Sequence, residues 1–333
     1  MRWFFTLLIP FIAFGMPALA YAHGSASTGA PAGHKQAARD ADMWERLWRT
    51  VIARADAAAN VRVDEANGFR FISSDGIPDH VTRSFPNRNN PNRIAAQSYA
   101  FRMALNPKRA ESVTLLTPRM AFGVAINGVP FDPFTAEFWN GDRNWNYEAL
   151  GGGRDLGLDG SNAHVQPNGA YHYHGVPKAL LERFAQAGRP ILIGYAADGF
   201  PIYGPHGYRE AGAAGELKEL RASYRVKPGS RAGGPGGVHD GTFIQDYEFV
   251  DGLGDLDRCN GREGITPEYP AGVYYYVVTA AYPFVPRCFA GTPDTSFEKA
   301  VPHMGPGGRG PGPGGAPPPG EGPPRGRPPQ RFP

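Results

Sequence analysis

The pattern of apolar and polar positions along the chain predicts short β-strands separated by polar turns. Five stretches are rich in β-branched and aromatic residues, and Gly, Pro, Asn and Asp are dense between them. The pattern therefore predicts a mainly β fold, a β-rich sandwich or barrel-like single domain with long ordered loops. The predicted strands lie at 69–72, 113–116, 123–126, 191–195 and 273–279.

Helical periodicity is confined to three stretches. Residues 35–58 predict an N-terminal amphipathic helix, because apolar residues recur every three or four positions and form one face. A second helix is predicted at 178–187, where Gly188 and Pro190 end the pattern, and a third, weaker one at 211–220. The apolar face of the first helix consists of Met43, Trp44, Leu47, Trp48, Val51 and Ile52.

The first residues have the pattern of an export signal. Arg2 precedes an apolar run over 3–14, and a small-x-small cleavage site follows at 20–22. The apolar run is shorter than the ~20 residues of a transmembrane helix, and no other stretch approaches that length. We therefore expect a signal peptide over 1–22, a flexible linker over 23–34 and a periplasmic or secreted mature protein. A retained signal anchor is the alternative.

The composition changes again at the C-terminal end. From Gly305 onward the chain is almost entirely Gly, Pro and Arg, and such sequence cannot bury enough apolar surface to order itself. We therefore expect a β-rich domain over 35–302 and a disordered tail over 303–333. The net charge of +3 is small and much of the positive excess lies in the tail, so we expect no nucleic-acid groove.

The chain contains two cysteines, Cys259 and Cys288. A small, even number of cysteines is typical of a structural disulfide in an oxidising compartment, which agrees with the predicted export. Two free buried thiols are the alternative. Thiol catalysis is not indicated, because the sequence has no C-x-x-C motif.

The run Tyr-His-Tyr-His at 171–174 is the most informative motif of the chain. On a β-strand, side chains alternate between the two faces, so the two tyrosines point one way and His172 and His174 the other. Histidines two positions apart on a strand are ~6.5 Å apart at the backbone. Both imidazoles can then converge on one metal ion or one small polar ligand.

A weak internal repeat separates the roles of these residues. Segment 158–164 is similar to 256–262; the first leads into 171–174, and the second leads into an aromatic strand. In this alignment Tyr275 replaces His172 and Val277 replaces His174, while the tyrosine positions persist. We therefore assign the tyrosines to packing and the histidines to something local to the first copy.

One turn motif occurs three times, at 75–78, 127–130 and 198–201, in the form [Asp/Asn]-Gly-x-Pro. Asp-Gly and Asn-Gly favour tight turns because both residues tolerate positive φ. The following Pro removes a donor from the next strand. These segments are interpreted as ordinary hairpin turns.

Together these segments resemble the YHYH-domain family of exported proteins. The resemblance rests on the Tyr-His-Tyr-His run at 171–174 and on Asp-Gly-Phe-Pro-Ile-Tyr-Gly at 198–204. The family implies no defined biochemical role. Where it has Cys-Asn-Gly-His or Cys-Gly-Gly-His, this chain has Ser161-Asn162-Ala163-His164, so a cysteine is missing and the histidine is kept. Shorter matches lie at 74–80, 87–92, 125–131, 158–175 and 256–261.

Three histidines are the predicted metal ligands. His164 precedes the strand of His172 and His174 by eight residues, and the intervening Pro-Asn-Gly predicts a turn that folds His164 back beside the pair. Three imidazoles in one place are what zinc and copper sites require. Additional ligands or outer partners of this site are predicted among Asp159, Asp198, His206 and His80.

Three functions are consistent with this sequence. The first is an exported metal-binding protein, with zinc or copper at His164, His172 and His174. The second is a metal-dependent hydrolase or oxidoreductase that uses the same site. The third is a non-catalytic structural or surface-interaction module. The sequence has no G-x-S-x-G, H-E-x-x-H, P-loop or dinucleotide motif. A processed N-terminal His23 is an alternative copper site.

Overall fold

The computed structural model of the chain describes residues 60–184 and 187–299. The predicted signal peptide, the linker with His23, the helix over 35–58 and the tail from 303 lie outside the described residues. The described residues form mostly β-structure, which confirms the predicted fold class. The strands are β1 (Val61–Ala66), β2 (Phe69–Ser74), β3 (Tyr99–Ala104), β4 (Thr114–Leu115), β5 (Gly123–Ala125), β6 (Pro130–Phe131), β7 (Ala163–Val165), β8 (Tyr171–Tyr173), β9 (Leu192–Ala196), β10 (Pro201–Tyr203), β11 (His206–Tyr208), β12 (Leu217–Glu219), β13 (Tyr224–Val226), β14 (Tyr247–Phe249), β15 (Gly261–Gly264), β16 (Val273–Val277) and β17 (Cys288–Phe289).

Helical structure in the described residues is short. It consists of one α-helix, α1 (Lys178–Glu182), and three 3-10 turns at Trp139–Gly141, Ile244–Asp246 and Thr295–Phe297. Helix α1 confirms the start of the predicted helix at 178. The predicted helix at 211–220 is wrong, because this segment turns and then pairs as β12 with β11.

An eight-stranded sheet in the order β15-β16-β10-β9-β5-β6-β8-β7 forms the centre of the fold. Its two halves have the same plan. Each half contains a hairpin, β5–β6 or β9–β10. Beside the second strand of that hairpin lies a parallel strand, β8 or β16. The outermost strand, β7 or β15, pairs antiparallel with this parallel strand. The halves meet where β5 pairs with β9. The weak sequence repeat therefore corresponds to the outer strand pair of each half.

Two of the three [Asp/Asn]-Gly-x-Pro motifs are hairpin turns. Gly128 connects β5 to β6 with φ of +78°, and Gly199 connects β9 to β10 with φ of +91°. Gly128 also requires the absence of a side chain, since a Cβ would lie 2.0 Å from Ser74 Oγ. Gly76 has positive φ as well, but it begins the long connection from β2 to β3 and is not a tight hairpin turn.

One aromatic-rich core runs through the sheet. Strands β5 and β9 lie in the middle of the sheet, β16 lies next to the edge strand β15, and all three are almost entirely buried. The smaller sheet β1-β2-β3 adds Ile72, Phe101 and Met103 to the same core. Strands β7 and β8, which carry the predicted histidine ligands, lie at one edge of this sheet. Packing against the core therefore fixes their backbone on the inner side.

The two cysteines are joined as predicted. Cys259, just before β15, forms a disulfide with Cys288 of β17. A disulfide is compatible with an extracellular or periplasmic protein. Within 60–184 and 187–299, no helix has the length and apolar character needed to span a membrane.

Candidate metal centre

Strands β7 and β8 place three histidines on one face of the sheet edge. The strands are antiparallel, and His164 is the direct cross-strand partner of His172. His174 follows β8, and its backbone N–H donates to the carbonyl of Asn162 at 2.8 Å. Since residues two apart on a strand share a face, His172 and His174 both lie next to His164.

Local turns fix this hairpin. Asp159 Oδ1 accepts hydrogen bonds from the backbone N–H of Ser161 and of Ala163, which closes the turn before β7. Asn162 takes a positive φ of 57° inside that turn. Gly169, with φ of +88°, makes the turn between β7 and β8 that the sequence predicted. The register of the two strands, and hence the pairing of His164 with His172, follows from these turns.

The three Nε2 atoms converge. His174 Nε2 lies 3.0 Å from His172 Nε2 and 3.0 Å from His164 Nε2. All three ligand atoms are within 4.8 Å of one another. In a tetrahedral zinc site with Zn–N bonds of ~2.0–2.1 Å, neighbouring nitrogens are about 3.3 Å apart. The two separations from His174 are therefore close to the ligand spacing of one first-row metal ion.

The opposite ring nitrogens hold two of the rings in place. His164 Nδ1 lies 3.3 Å from the carbonyl of Leu156, and His172 Nδ1 lies 3.1 Å from the carbonyl of Ala170. A carbonyl can only accept, so each Nδ1 carries the proton and each Nε2 presents a lone pair to the centre. A backbone carbonyl behind a histidine ligand is a common outer partner in metal sites.

The triad is enclosed by protein. His164 is 6% exposed, His172 2% and His174 0%. Burial lowers the pKa of all three imidazoles, and the neighbouring rings lower the pKa of His172 and His174 further. The rings are therefore neutral at physiological pH, which is the form that binds a metal.

The family of the chain is identified by a match over the residues that form the eight-stranded sheet. The family model described as YHYH protein matches residues 100–291, more than half of the chain. The chain belongs to the YHYH family. No curated protein and no solved structure gives a significant match. The Tyr-His-Tyr-His run of this YHYH chain is β8 and the residue after it, so the run supplies two of the three histidines and β7 supplies the third.

The second half of the YHYH sheet repeats the scaffold without the histidines. Asp257 Oδ1 accepts from the backbone N–H of Cys259 and of Gly261, as Asp159 does in the first half. At the place of the triad, Arg262 donates to the hydroxyl of Tyr275 at 2.6 Å. The strand pair therefore forms with other residues at these positions, and the scaffold does not require histidines there.

The tyrosines of β8 lie on the opposite face and are bound to polar partners. The Tyr171 hydroxyl donates to Asp159 Oδ2 at 2.5 Å. The Tyr173 hydroxyl accepts from Asn127 Nδ2 at 3.0 Å and donates to His80 Nε2 at 2.7 Å. The structure thus places Asp159 and His80, both predicted as partners of the metal site, with the tyrosines, although the charge of Asp159 still acts on His164.

The other two predicted partners lie elsewhere. Asp198 Oδ2 accepts from the Tyr276 hydroxyl at 2.5 Å and from the Gly291 N–H at 2.9 Å, in the second half of the sheet. His206 is exposed in β11 and lines an apolar groove of about 510 Å³ beside α1. The structure therefore joins His164, His172 and His174, and it leaves these two residues apart from them.

Three polar residues near the triad were absent from the sequence-based prediction. One is Glu137, whose charge acts on His164 more strongly than that of Asp132. Gln166 Nε2 lies 3.4 Å from His172 Nε2, and alternation along the strand from His164 could have indicated it. Asp132 follows β6, and its charge acts on His164. No local pattern indicates Asp132, because it reaches the site through the pairing of β6 with β8.

Proposed function

We propose that this YHYH protein is an exported metal-binding protein that holds one zinc or copper ion at His164, His172 and His174. The observation that carries the proposal is the convergence of three buried Nε2 atoms, with two separations of 3.0 Å. Lone pairs this close together repel one another unless a cation or a shared proton lies between them. A first-row ion bound by all three would satisfy them at once.

The contrast between the two halves of the sheet supports a specific role for the histidines. The turn bonds of Asp159 recur at Asp257, and the tyrosine–aspartate pair of Tyr171 recurs at Tyr274. On the opposite face, Arg262 and Tyr275 take the places of His164 and His172. A purely structural role for the imidazoles would not explain why the same scaffold elsewhere carries Arg262 and Tyr275.

The enclosure of the site favours metal binding over turnover. Structural metal sites are closed, whereas catalytic sites keep one position open to substrate. The three histidines are 6% exposed or less. We therefore propose retention of an ion as the function. Export of the mature protein from 23 onward is part of the proposal, and the Cys259–Cys288 disulfide supports it.

A zinc titration of chelator-treated protein tests the proposal. An ion at a thousand times its Kd adds about 4 kcal/mol to the free energy of unfolding, so saturating zinc should raise the Tm by roughly 10 °C. The variant His172→Ala/His174→Ala should lose this rise. The matched control, His80→Ala/His206→Ala, removes the same number of imidazoles outside the triad and should keep it. Equal responses of the two double variants would contradict the proposal.

A further inference from the structure

Asp132 lies next to the triad through the parallel pairing of β6 with β8. Phe131 is the register partner of Tyr173, and the Asp132 N–H donates to the Tyr173 carbonyl at 2.9 Å. One residue further along both strands, Asp132 and His174 are side by side. Neighbouring strands are about 4.8 Å apart, so a carboxylate at 132 is on the strand position next to an ion bound by His174. The Asp132 oxygens do not lie within 4.8 Å of all three imidazole nitrogens, so binding requires the Asp132 side chain to move toward the ion.

The direction of the Asp132 side chain follows from alternation. The rings of Phe131 and Tyr173 are 5.6 Å apart between centroids, so these two side chains share the tyrosine face of the sheet. The next residues on both strands point to the other face, which is the face of the histidines. Charge interactions agree with this placement. Asp132 acts on His164, and Lys299, the ion-pair partner of Asp132, acts on His172 and His174.

The carboxylate of Asp132 has one oxygen free for a ligand. Asp132 is 4% exposed, and its Oδ2 lies 2.5 Å from Lys299 Nζ. Its Oδ1 is buried and has no hydrogen-bond partner of normal geometry, although the backbone N–H of Phe134 also acts on this carboxylate. Lys299 is held in turn by the Pro118 carbonyl at 2.9 Å. A buried carboxylate oxygen without a partner costs about 1–3 kcal/mol or more, so it marks a place where a cation or donor belongs.

We infer that Asp132 Oδ1 is the fourth ligand of the ion held by His164, His172 and His174, which makes a three-histidine, one-carboxylate centre for a divalent cation. This inference rests on the proposed function. Three imidazole nitrogens and one carboxylate oxygen complete a tetrahedral set for zinc. A hard, negatively charged oxygen favours a divalent ion over cuprous copper, which prefers soft sulfur ligands. Lys299 positions the carboxylate by binding the other oxygen.

Glu137 and Gln166 are the competing fourth ligands. Glu137 Oε2 is also buried without a partner, and the charge of Glu137 acts on His164 more strongly than that of Asp132, but Glu137 lies outside the strands that pair with β7 and β8. Gln166 is the neutral competitor. Its side-chain amide is 3.4 Å from His172 Nε2, closer than any described contact between Asp132 and the imidazoles. Gln166 is only half-buried, however, and its amide carries no charge to balance a divalent ion. A buried cation is stabilised more by a charged oxygen than by a neutral one, so the charge of the site favours Asp132.

A cobalt titration of the chelator-treated protein distinguishes these ligands, because the visible absorption of bound Co²⁺ depends on its ligand set. Asp132→Asn should raise the Kd for Co²⁺ by about a hundred-fold or more, beyond the 10–100-fold effect of an outer partner, and should change the spectrum. Gln166→Leu should change neither. Asp198→Asn, which alters a buried aspartate in the other half of the sheet, is the matched control and should bind as the original chain does.

A gain-of-signal variant covers the case in which Asp132→Asn does not fold. Asp132→Cys should bind Co²⁺ with a near-ultraviolet thiolate charge-transfer band that the original chain lacks. The inference is overturned if folded Asp132→Cys binds cobalt without this band, or if folded Asp132→Asn binds Co²⁺ as tightly as the original chain does. If the original chain binds neither Co²⁺ nor Zn²⁺, the proposed function itself fails, and the inference fails with it.

Discussion

Asp198→Asn is expected to change how the stability of this protein depends on pH. Burial raises the pKa of the Asp198 carboxyl from 3.8 to about 6, and the hydrogen bonds from Tyr276 and Gly291 only partly offset that rise. The first half of the sheet has an amide at the same place in its hairpin. There Asn127 Nδ2 donates to the hydroxyl of Tyr173, whereas Asp198 accepts from the hydroxyl of Tyr276.

The magnitude follows from the shift. The pKa rises by about two units, and one unit corresponds to about 1.4 kcal/mol, so ionised Asp198 lowers the free energy of unfolding by about 3 kcal/mol. The folded state binds the proton more tightly than the unfolded state. The stabilisation that protonated Asp198 adds to the free energy of unfolding is therefore fully present below about pH 4. It is lost as the pH rises through about 6. An asparagine does not titrate and has no such dependence.

Urea unfolding of both chains at pH 4, 5, 6 and 7, with chelator present and the disulfide intact, measures this effect. The stability of Asp198→Asn relative to the original chain should rise by about 3 kcal/mol from pH 4 to pH 7. Other titrating groups cancel in the difference, because both chains contain them. A difference that is flat across this range, or that falls with pH, would refute the reasoning.

Two further substitutions test whether the rest of the fold is independent of the metal site. Tyr173→Phe removes the hydroxyl between Asn127 and His80 and should lower the free energy of unfolding by about 1–3 kcal/mol, with the zinc Kd unchanged; loss of zinc binding would show that the tyrosine face belongs to the site. Replacing Cys259 and Cys288 by Ser opens a loop of 29 residues and should cost about 3.5 kcal/mol in urea unfolding, whereas an unchanged midpoint would contradict the structural role of the bridge.

Sequence reasoning located the triad because its geometry is local. Alternation along β8 fixes the common face of His172 and His174, and the turn at Gly169 returns His164 to them. Each step needs only a strand period and a hairpin. The predicted strands were confirmed for the same reason, since β-branched and aromatic runs between Gly and Pro depend on nearby residues alone.

Partners from distant segments could not be predicted in this way. Asp132 lies on the histidine face only because β6 pairs in parallel with β8. The sequence of neither strand indicates that pairing. His80 and Asp198 were predicted as additional ligands or outer partners of the metal site. The structure places them beside Tyr173 and Tyr276 respectively. The weak helix predicted at 211–220 failed because pairing with β11 outweighed local propensity.

Elemental analysis of the purified mature protein, before and after dialysis against a chelator, tests the central claim most directly. We predict about one zinc or copper ion per chain before dialysis and close to none in His172→Ala/His174→Ala, while His80→Ala/His206→Ala keeps its ion. A folded original chain that contains no transition metal and takes up none after exposure to zinc or copper would contradict the account.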